Sequence, residues 1–566
     1  MRRAAALLAL GAAIFPASAA AQGGPRAILV LGSPGITYEE ATRDPDLRAA
    51  AASGGIGLMS THADDPDDAV RVVLDGGAEG EGDLLVEAAE GAGLTVGSAD
   101  ADLVIARPGP VELSGILEAA GGSEVLLVVA FPDASPAMRD RGDVVTPIVV
   151  ARGPADGILS GGGSVAGLTS DTTRREGLVA NADVAPTVLA HLGVPIPAEM
   201  TGSSIEVEGE APGDLHARFL DVRAVRLALQ LLLLVVALAT LVAVLLFLRL
   251  RPFAPEVARA LGVWSLVVIA LPLALLSVSL LPRVTWVTAL GLAALLTAAI
   301  VAGAWVVGRR DATAAVALVG AAGVVLLVLD GLRGWPAMMM PVVGGGALDG
   351  ARFHGIGNVY AGVLLAGAVL VAAHLRPWAG VALLAGAALF AGLPGLGANL
   401  GAATTLFAAA GLWGVLRLRR RLGSVEVAIA AVVAVAGAAL VVLAHRFLGP
   451  EASHIARAAE EAGRGGLGTL IEIAARRLAI NLELTSRIPA AWLAILALVA
   501  AAVAAARRRG HLARDPEWRD ACMVLALSAL VGFVVNDTGI GLAGLAFAFL
   551  AAALAYPALE AAWTRR

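Results

Sequence analysis

Lysine is absent from this 566-residue chain, cysteine occurs once (Cys522), and only 16% of residues are charged and 4% aromatic. A single cysteine excludes a disulfide scaffold. Soluble domains carry about 25% charged residues, so the low charge excludes intrinsic disorder and an ordinary soluble protein. What fills the space is apolar: 58% of residues are hydrophobic and the mean hydropathy is +0.80. That is the composition of a membrane protein. The exclusive use of arginine, with the Ala and Gly load, fits a high-GC bacterial genome rather than a special chemistry.

The charge is unevenly placed. Residues 22–223 hold 32 Asp and Glu against 12 Arg, and the remainder holds 15 against 29. An acidic, water-facing part is therefore joined to a basic, apolar part. The acidic part argues against a nucleic-acid partner.

The first residues, MRRAAALLALGAAIFPASAAAQ, place Arg2 and Arg3 before a short apolar run and small residues at Ala17–Ala21. This is the order of a secretory signal over 1–21, cleaved near Ala21 or kept as an anchor. Residues 24–205 read as an exported α/β domain. Short β-branched runs (Ala27–Leu31, Glu124–Ala130, Thr146–Ala151) alternate with helical stretches (Asp44–Ala52, Asp67–Leu74, Asp83–Gly91), which predicts a mostly parallel sheet with flanking helices. Residues 206–223 read as a polar juxtamembrane linker.

Residues 224–566 read as an all-α polytopic domain of about 11 helices, near 224–248, 258–281, 285–307, 312–329, 358–374, 378–393, 399–416, 425–444, 490–506, 519–535 and 541–558. With the soluble domain outside, every inner loop is basic: Arg249 and Arg251, Arg309 and Arg310, Arg376, Arg417 to Arg421, Arg507 to Arg509. This satisfies the positive-inside rule with a cytoplasmic C-terminus and the chain in the bacterial plasma membrane.

The segment TSDTTRREGLVANADVAPTVLAHLGVPIPAEMTGSSI (Thr169–Ile205) resembles the C-terminal part of alkaline-phosphatase/sulfatase superfamily domains. It also reads well alone, with Asp183 as N-cap, Val184–Leu192 as helix and Gly193 just past its end. AILVLGSPGITYEEA (Ala27–Ala41) and GIGLMSTHA (Gly55–Ala63) resemble that family's first and second strands. The resemblance implies an alkaline-phosphatase-like fold and a site using two metal ions and a Ser or Thr nucleophile.

The matching positions are degenerate. Gly32 or Ser33 stands where a metal Asp is implied, Ser60 or Thr61 where the nucleophile is implied, and Asp133 is the remnant of the Asp-His-Gly strand end. The DDPDD run (Asp64, Asp65, Asp67, Asp68) reads as first-turn acids favoured by the helix dipole or as a metal cluster. With His62, His191 and His216 the only histidines of residues 22–223, no dinuclear site is assembled. The expectation is a pseudo-phosphatase with no cofactor, a divalent metal being possible but unsupported.

Polar groups among the spans gather in loops of the same outer side. Residues 330–357 and the helix start after them bring Asp330, Arg333, Asp349, Arg352, His354, Asn358 and Tyr360. GLPGLGANLGAATT (Gly392–Thr405) breaks an apolar run and supplies Asn399; VVNDTGIG (Val534–Gly541) supplies Asn536 and Asp537. Such residues usually mark sites, and broken backbone at membrane depth must be buried in protein or line a wet cavity. His354 with Asp330 or Asp537 reads as a general base with an orienting carboxylate, or as structural groups.

The outer loop 445–488 carries His454, Arg476, Arg477 and Asn481. There Leu467, Leu470, Ile471, Ala474, Leu478 and Leu482 fall at helical spacing. This predicts an interfacial helix whose apolar side meets lipid or protein. Its arginines suit a lipid phosphate or serve a mere cover.

The layout is similar to that of GPI ethanolamine phosphate transferases, and topologically to polytopic glycan ligases and polymerases. The functional expectation is an envelope-biogenesis protein acting from the outer face on a lipid-linked glycan or phospho-lipid. Its partners would be membrane lipids and that phosphorylated substrate, with the oligomeric state open. A transporter or flippase, a non-catalytic scaffold and an active metal-dependent phosphoryl transferase are the alternatives.

Overall fold

A computed structural model describes residues 25–33, 35–61, 66–78, 83–97, 101–106, 113–140, 143–160, 164–249, 255–448, 475–486, 499, 515–536 and 538–563. The chain divides into two compact units, Met1–Leu220 with Gly346–Phe353, and Asp221–Gly345 with His354–Arg566.

The first unit is built on one mixed sheet of β1 (Arg26–Leu31), β2 (Gly54–Ser60), β3 (Leu103–Ala106), β4 (Glu124–Ala130), β5 (Val145–Pro154), β6 (Ala166–Ser170), β7 (Leu178–Ala180) and β8 (Ile205–Glu210). The order is β3-β1-β4-β5-β2-β6-β8, with β7 also paired to β2. Pairs β1–β3, β1–β4, β2–β6 and β2–β7 are parallel; β2–β5, β4–β5 and β6–β8 are antiparallel. The mostly parallel sheet is thus corrected to a mixed one: β5 runs against both central neighbours, and β8 returns against β6. Its helices are α1 (Tyr38–Arg43), α2 (Pro45–Ala52), α3 (Pro66–Leu74), α4 (Leu84–Gly91), α5 (Leu113–Ala120), α6 (Pro136–Asp140), α7 (Ala155–Ile158) and α8 (Val184–His191). Leu29, Val128 and Val150 on one sheet face meet Val184, Val188 and Leu189 of α8 in a single buried core.

The Thr169–Ile205 motif owes its pattern to a buried carboxylate. Asp183 stands before α8 but its side chain does not cap that helix. Instead Oδ1 accepts from the Ser203 N–H (3.0 Å) and the Thr172 hydroxyl, and Oδ2 accepts from the Ala180 N–H (2.8 Å) and the Ser170 hydroxyl (2.7 Å). Burial pushes this carboxyl up, and the four bonds oppose the shift. Thr187 adds a second tie, donating to the Asp183 carbonyl and accepting from the Ile205 N–H. The N-cap expectation for Asp183 is corrected: the carboxylate gathers three loops.

The polar linker expected over 206–223 is also corrected. Its first part is β8, and its second opens a long helix, α9 (Leu215–Arg249), that begins in the first unit and continues in the second.

The second unit is helical: α9, α10 (Pro255–Val278), α11 (Trp286–Gly308), α12 (Ala312–Leu332), α13 (Asn358–Ala372), α14 (Pro377–Gly392), α15 (Leu400–Arg419), α16 (Ser424–Leu448), α17 (475–486), α18 (Pro516–Val535) and α19 (Gly539–Trp563). Among the described residues eight of these helices are long and apolar enough to cross a membrane, while α13 and α14 are shorter. The span expected at 490–506 lies outside the described residues, Val499 apart.

Lipid offers helices no hydrophobic drive to associate, so close backbone approach takes its place. A Cβ on Gly320 of α12 would lie 2.8 Å from the Gly367 Cα of α13, and one on Gly367 would lie 2.4 Å from the Gly320 carbonyl. At another helix-end cluster Arg417 of α15 bonds Glu517 of α18 at 2.9 Å, and Arg419 and Arg421 pair with Glu426 of α16.

Each oxygen of Asp183 takes one fixed backbone N–H, so an amide in its place must turn its NH2 toward a donor. Asp183→Asn is therefore expected to destabilise the first unit by about 2–3 kcal/mol. The check is the thermal midpoint of its protease resistance in the detergent-solubilised chain, beside Asp183→Ala as the larger loss.

Candidate functional site: irregular backbone held at one end of the bundle

Helices α13 and α14 have 15 and 16 residues, or about 22–24 Å at 1.5 Å per residue. A bilayer core is about 30 Å thick. They are antiparallel neighbours, and irregular backbone continues from the same end of both: residues 333–345 and 354–357 before α13, and 393–399 after α14. These stretches belong to one packed surface. Ile356 N–H donates to the Gly397 carbonyl at 2.9 Å, and the Trp335 indole N–H donates to the Leu396 carbonyl at 2.8 Å.

Gly355 has φ +85°, and a Cβ there would sit 2.0 Å from the Gly397 oxygen, so both the turn and the approach require glycine. Trp335 is a fully buried non-glycine residue at φ 65°. Such a conformation persists only where the surroundings over-determine it. Here the indole bond, the Asp330 carbonyl and the Phe390 ring at 5.5 Å do so.

Side chains of several helices satisfy this backbone. Arg226 and Gln230, one turn apart on α9, donate to the carbonyls of Gly344 and Val342. Ser279 donates to the Ala337 carbonyl (2.9 Å), and Asp330 Oδ1 accepts the Ala337 N–H (2.9 Å). Asn399 caps α15 through the Ala402 N–H while its Nδ2 donates to the Ile356 carbonyl (3.0 Å) and to Asn358 Oδ1 (2.8 Å). Asn358 in turn donates to the Thr538 hydroxyl at 2.6 Å. Tyr360, buried one turn into α13, donates to the Pro272 carbonyl of α10 (3.3 Å) and lies within electrostatic reach of Arg226 and Asp330.

A second knot sits at the turn between α18 and α19. Asn481 of α17 donates to the carbonyls of Phe533 (3.0 Å) and Asn536 (2.7 Å) and accepts the Ile540 N–H (3.0 Å). One side chain thus closes the last turn of one helix and the first turn of the next. Arg477 donates to the Val535 carbonyl at 2.6 Å. The Asn536 side chain donates to the Gly532 carbonyl and lies against Gly401, where a Cβ would come within 2.2 Å of its Oδ1.

Comparisons with protein-family models, curated proteins and solved structures return no match.

Three sequence-distant segments meet: Asn358, Asn399 and Thr538 form a connected network, and Asn481 and Arg477 are bonded to Val535, Asn536 and Ile540 beside it. His354 is half-buried at the edge of this network, and Arg476 is exposed on α17. Arg352 and Asp349 fall in Gly346–Phe353, which packs with the first unit, where Arg175 donates to the Phe353 carbonyl at 3.0 Å. Asp537 and His454 lie outside the described residues. The expected stripe on α17 is refined: the helix docks through Arg477 and Asn481, and leaves Leu478, Ile480 and Leu482 exposed.

Sequence reasoning passed over Arg226, Gln230, Ser279 and Thr538. For Arg226 and Gln230 a signal existed, two polar residues four apart in an otherwise apolar run.

In the first unit the ends of β1, β2, β4 and β7 share one sheet edge with the start of β5. Ser33 is exposed there, and Ser60 is buried. The Thr61 hydroxyl donates to the Val144 carbonyl at 2.7 Å, and Asp133 is paired with Arg139. His216 Nε2 lies 3.1 Å from both oxygens of Asp143, all buried, beside Tyr38, whose hydroxyl burial pushes up to about 12. Among the described residues no three His, Cys, Asp or Glu side chains are placed to hold a metal. The two metals that the phosphatase resemblance implies do not fit these residues, since Asp133 and Asp143 each face a cationic or imidazole partner and the rest are Gly, Ser and Thr. Asp64 and Asp65 lie outside the described residues.

Asn399→Asp keeps the cap acceptor but turns an oxygen toward the Ile356 carbonyl and Asn358 Oδ1. Both Asn399→Asp and Asn399→Ala are expected to cost about 2–4 kcal/mol, read as a lowered thermal midpoint in detergent. A cap-only role would instead leave Asn399→Asp near wild type.

Proposed function

We propose that this chain is a multi-pass protein of the bacterial plasma membrane, active in envelope biogenesis, which handles a lipid-linked, phosphate-bearing glycan or phospho-lipid from the extracytoplasmic face. The observation that carries the reading is the paired short helices α13 and α14, ending at one side in irregular backbone held by side chains of α9 and α12, by Ser279 just after α10 and by Asn399 at the cap of α15. Non-helical backbone at membrane depth is tolerated where it is buried in protein or lines a wet cavity, and transporters use such breaks to bind substrates, which supports a substrate site at this end. His354, Asn358, Arg476 and Arg477 are the groups proposed to meet the polar head of that substrate, and the lipid tail would remain in the bilayer. Asp330, buried and holding the loop turn, is proposed to position His354.

The first unit is proposed as a recognition module with a degenerate alkaline-phosphatase-like fold. Support comes from the Asp183 network in its motif and from the occupied side chains at its sheet edge.

The same broken helices favour a second reading, a flippase that moves the lipid-linked precursor without changing it. A covalent product from purified protein and a lipid-linked glycan decides for the enzyme. Appearance of the unchanged lipid in the other leaflet of proteoliposomes decides for transport.

In the native host, His354→Ala at wild-type protein level is expected to accumulate a lipid-linked envelope precursor several-fold, measured by mass spectrometry of extracted lipids. An unchanged pool would remove the membrane-site reading. The purified full chain is expected to show no turnover of an aryl phosphate with added zinc or manganese; turnover that is lost on Thr61→Ala and Ser60→Ala would move the chemistry to the first unit.

A further inference from the structure

Helix α17 is attached in an unusual way. Most of its residues are exposed, and Arg477 and Asn481, one turn apart on the same face, bond the end of α18 and the start of α19. The two contacts differ in kind. Asn481 exchanges three bonds with the α18–α19 turn, all between neutral groups. Arg477 brings a full charge to one neutral carbonyl, Val535, through one of its nitrogens, and no carboxylate pairs with it among the described residues. The Val535 carbonyl closes the C-terminal, electronegative end of α18.

We propose that α17 is a strap over this end of the bundle, and that a phosphate group draws Arg477 off the Val535 carbonyl while Asn481 stays seated as the pivot. The inference rests on the proposed function and names the substrate feature that α17 reads. A guanidinium binds phosphate through two parallel charge-assisted bonds, each about twice as strong as a neutral one. The C-terminal end of α18 disfavours an anion beside the Val535 carbonyl. A phosphate is therefore better met by an arginine drawn away from that carbonyl, and the helix turn that carries it moves with it. The exposed Leu478, Ile480 and Leu482 are suited to an acyl environment on the flanks of the strap. The shared chemistry is a phosphate, whether it belongs to a lipid headgroup or is free.

The test places nitroxides on Leu482→Cys of α17 and Leu530→Cys of α18, both exposed, in the full chain. The native and only cysteine, the buried Cys522, is changed to Ala. Electron–electron distances are measured in phosphatidylcholine nanodiscs, in nanodiscs containing phosphatidic acid, and with inorganic pyrophosphate added to the first. The expected result is a shifted and broadened distribution with phosphatidic acid. A matching response to pyrophosphate shows that free phosphate suffices, and its absence assigns the lipid headgroup as the source.

Arg477→Gln keeps a donor for Val535 without the charge, and is expected to lose the response while holding the undisturbed distance. Asn481→Ala is expected to broaden the distribution under every condition. No shift in wild type with either probe, or an undiminished shift in Arg477→Gln, overturns the strap. If that happens while His354→Ala still accumulates precursor, the proposed function stands and only the strap falls.

Discussion

A backbone amide or carbonyl removed from water must find a partner, and in a bilayer it must find one within the protein. The second unit is arranged around that constraint. Where α13 and α14 stop short, carbonyls at Val342, Gly344, Ile356 and Ala337 are met by Gln230, Arg226, Asn399 and Ser279. Asparagine recurs because its amide both donates and accepts. At Asn399 one end caps a helix while the other ties down a neighbouring loop, and at Asn481 the NH2 meets the end of α18 while the oxygen takes an N–H at the start of α19. An aspartate would supply acceptors alone, and a serine only one donor, on the same atom as its acceptor.

The first unit solves a related problem with a charge. Its α8 could have been capped by Asp183 in the ordinary way. The carboxylate instead turns back to hold Ser170, Thr172, Ala180 and Ser203, so the loops after β6, β7 and α8 share one buried acceptor. This explains why the motif from Thr169 to Ile205 is rich in Ser and Thr at set intervals. It is a folding device, and its presence implies nothing about catalysis at the opposite residues of the sheet edge.

What the sequence shows plainly is periodicity. β1, β4 and β5 begin within one residue of the β-branched runs that mark them, and the apolar stretches locate ten of the helices, because burial on one or all sides leaves a repeating pattern. Partnership leaves no such pattern. Asn358, Asn399, Asn481 and Asn536 are recognisable as polar residues at span ends, yet nothing in their spacing says that the last three bond mainly to backbone and that Asn358 bonds to Asn399 and Thr538. The linker at 206–223 misleads for a different reason. IEVEGE alternates in sequence like an edge strand, but every residue after Ile205 is exposed, so it reads as polar coil until β6 is known to lie beside it.

These bonds also narrow where chemistry can reside. An amide already holding two carbonyls, as in Asn481, has no donor left for a substrate, and removing it damages the turn it closes. Asn399 is in the same position. A loss of function at either residue therefore reports on the scaffold. The groups that retain capacity are those at the margin of the network, and they differ from the asparagines in carrying or accepting charge. Arg477 is the clearest: its charge is held by a neutral oxygen at the electronegative end of a helix, an arrangement stable in the absence of an anion, and a guanidinium bonds a phosphate more strongly than it bonds one carbonyl. A site built this way keeps a rigid, fully bonded backbone and leaves recognition to a few side chains that can change partners.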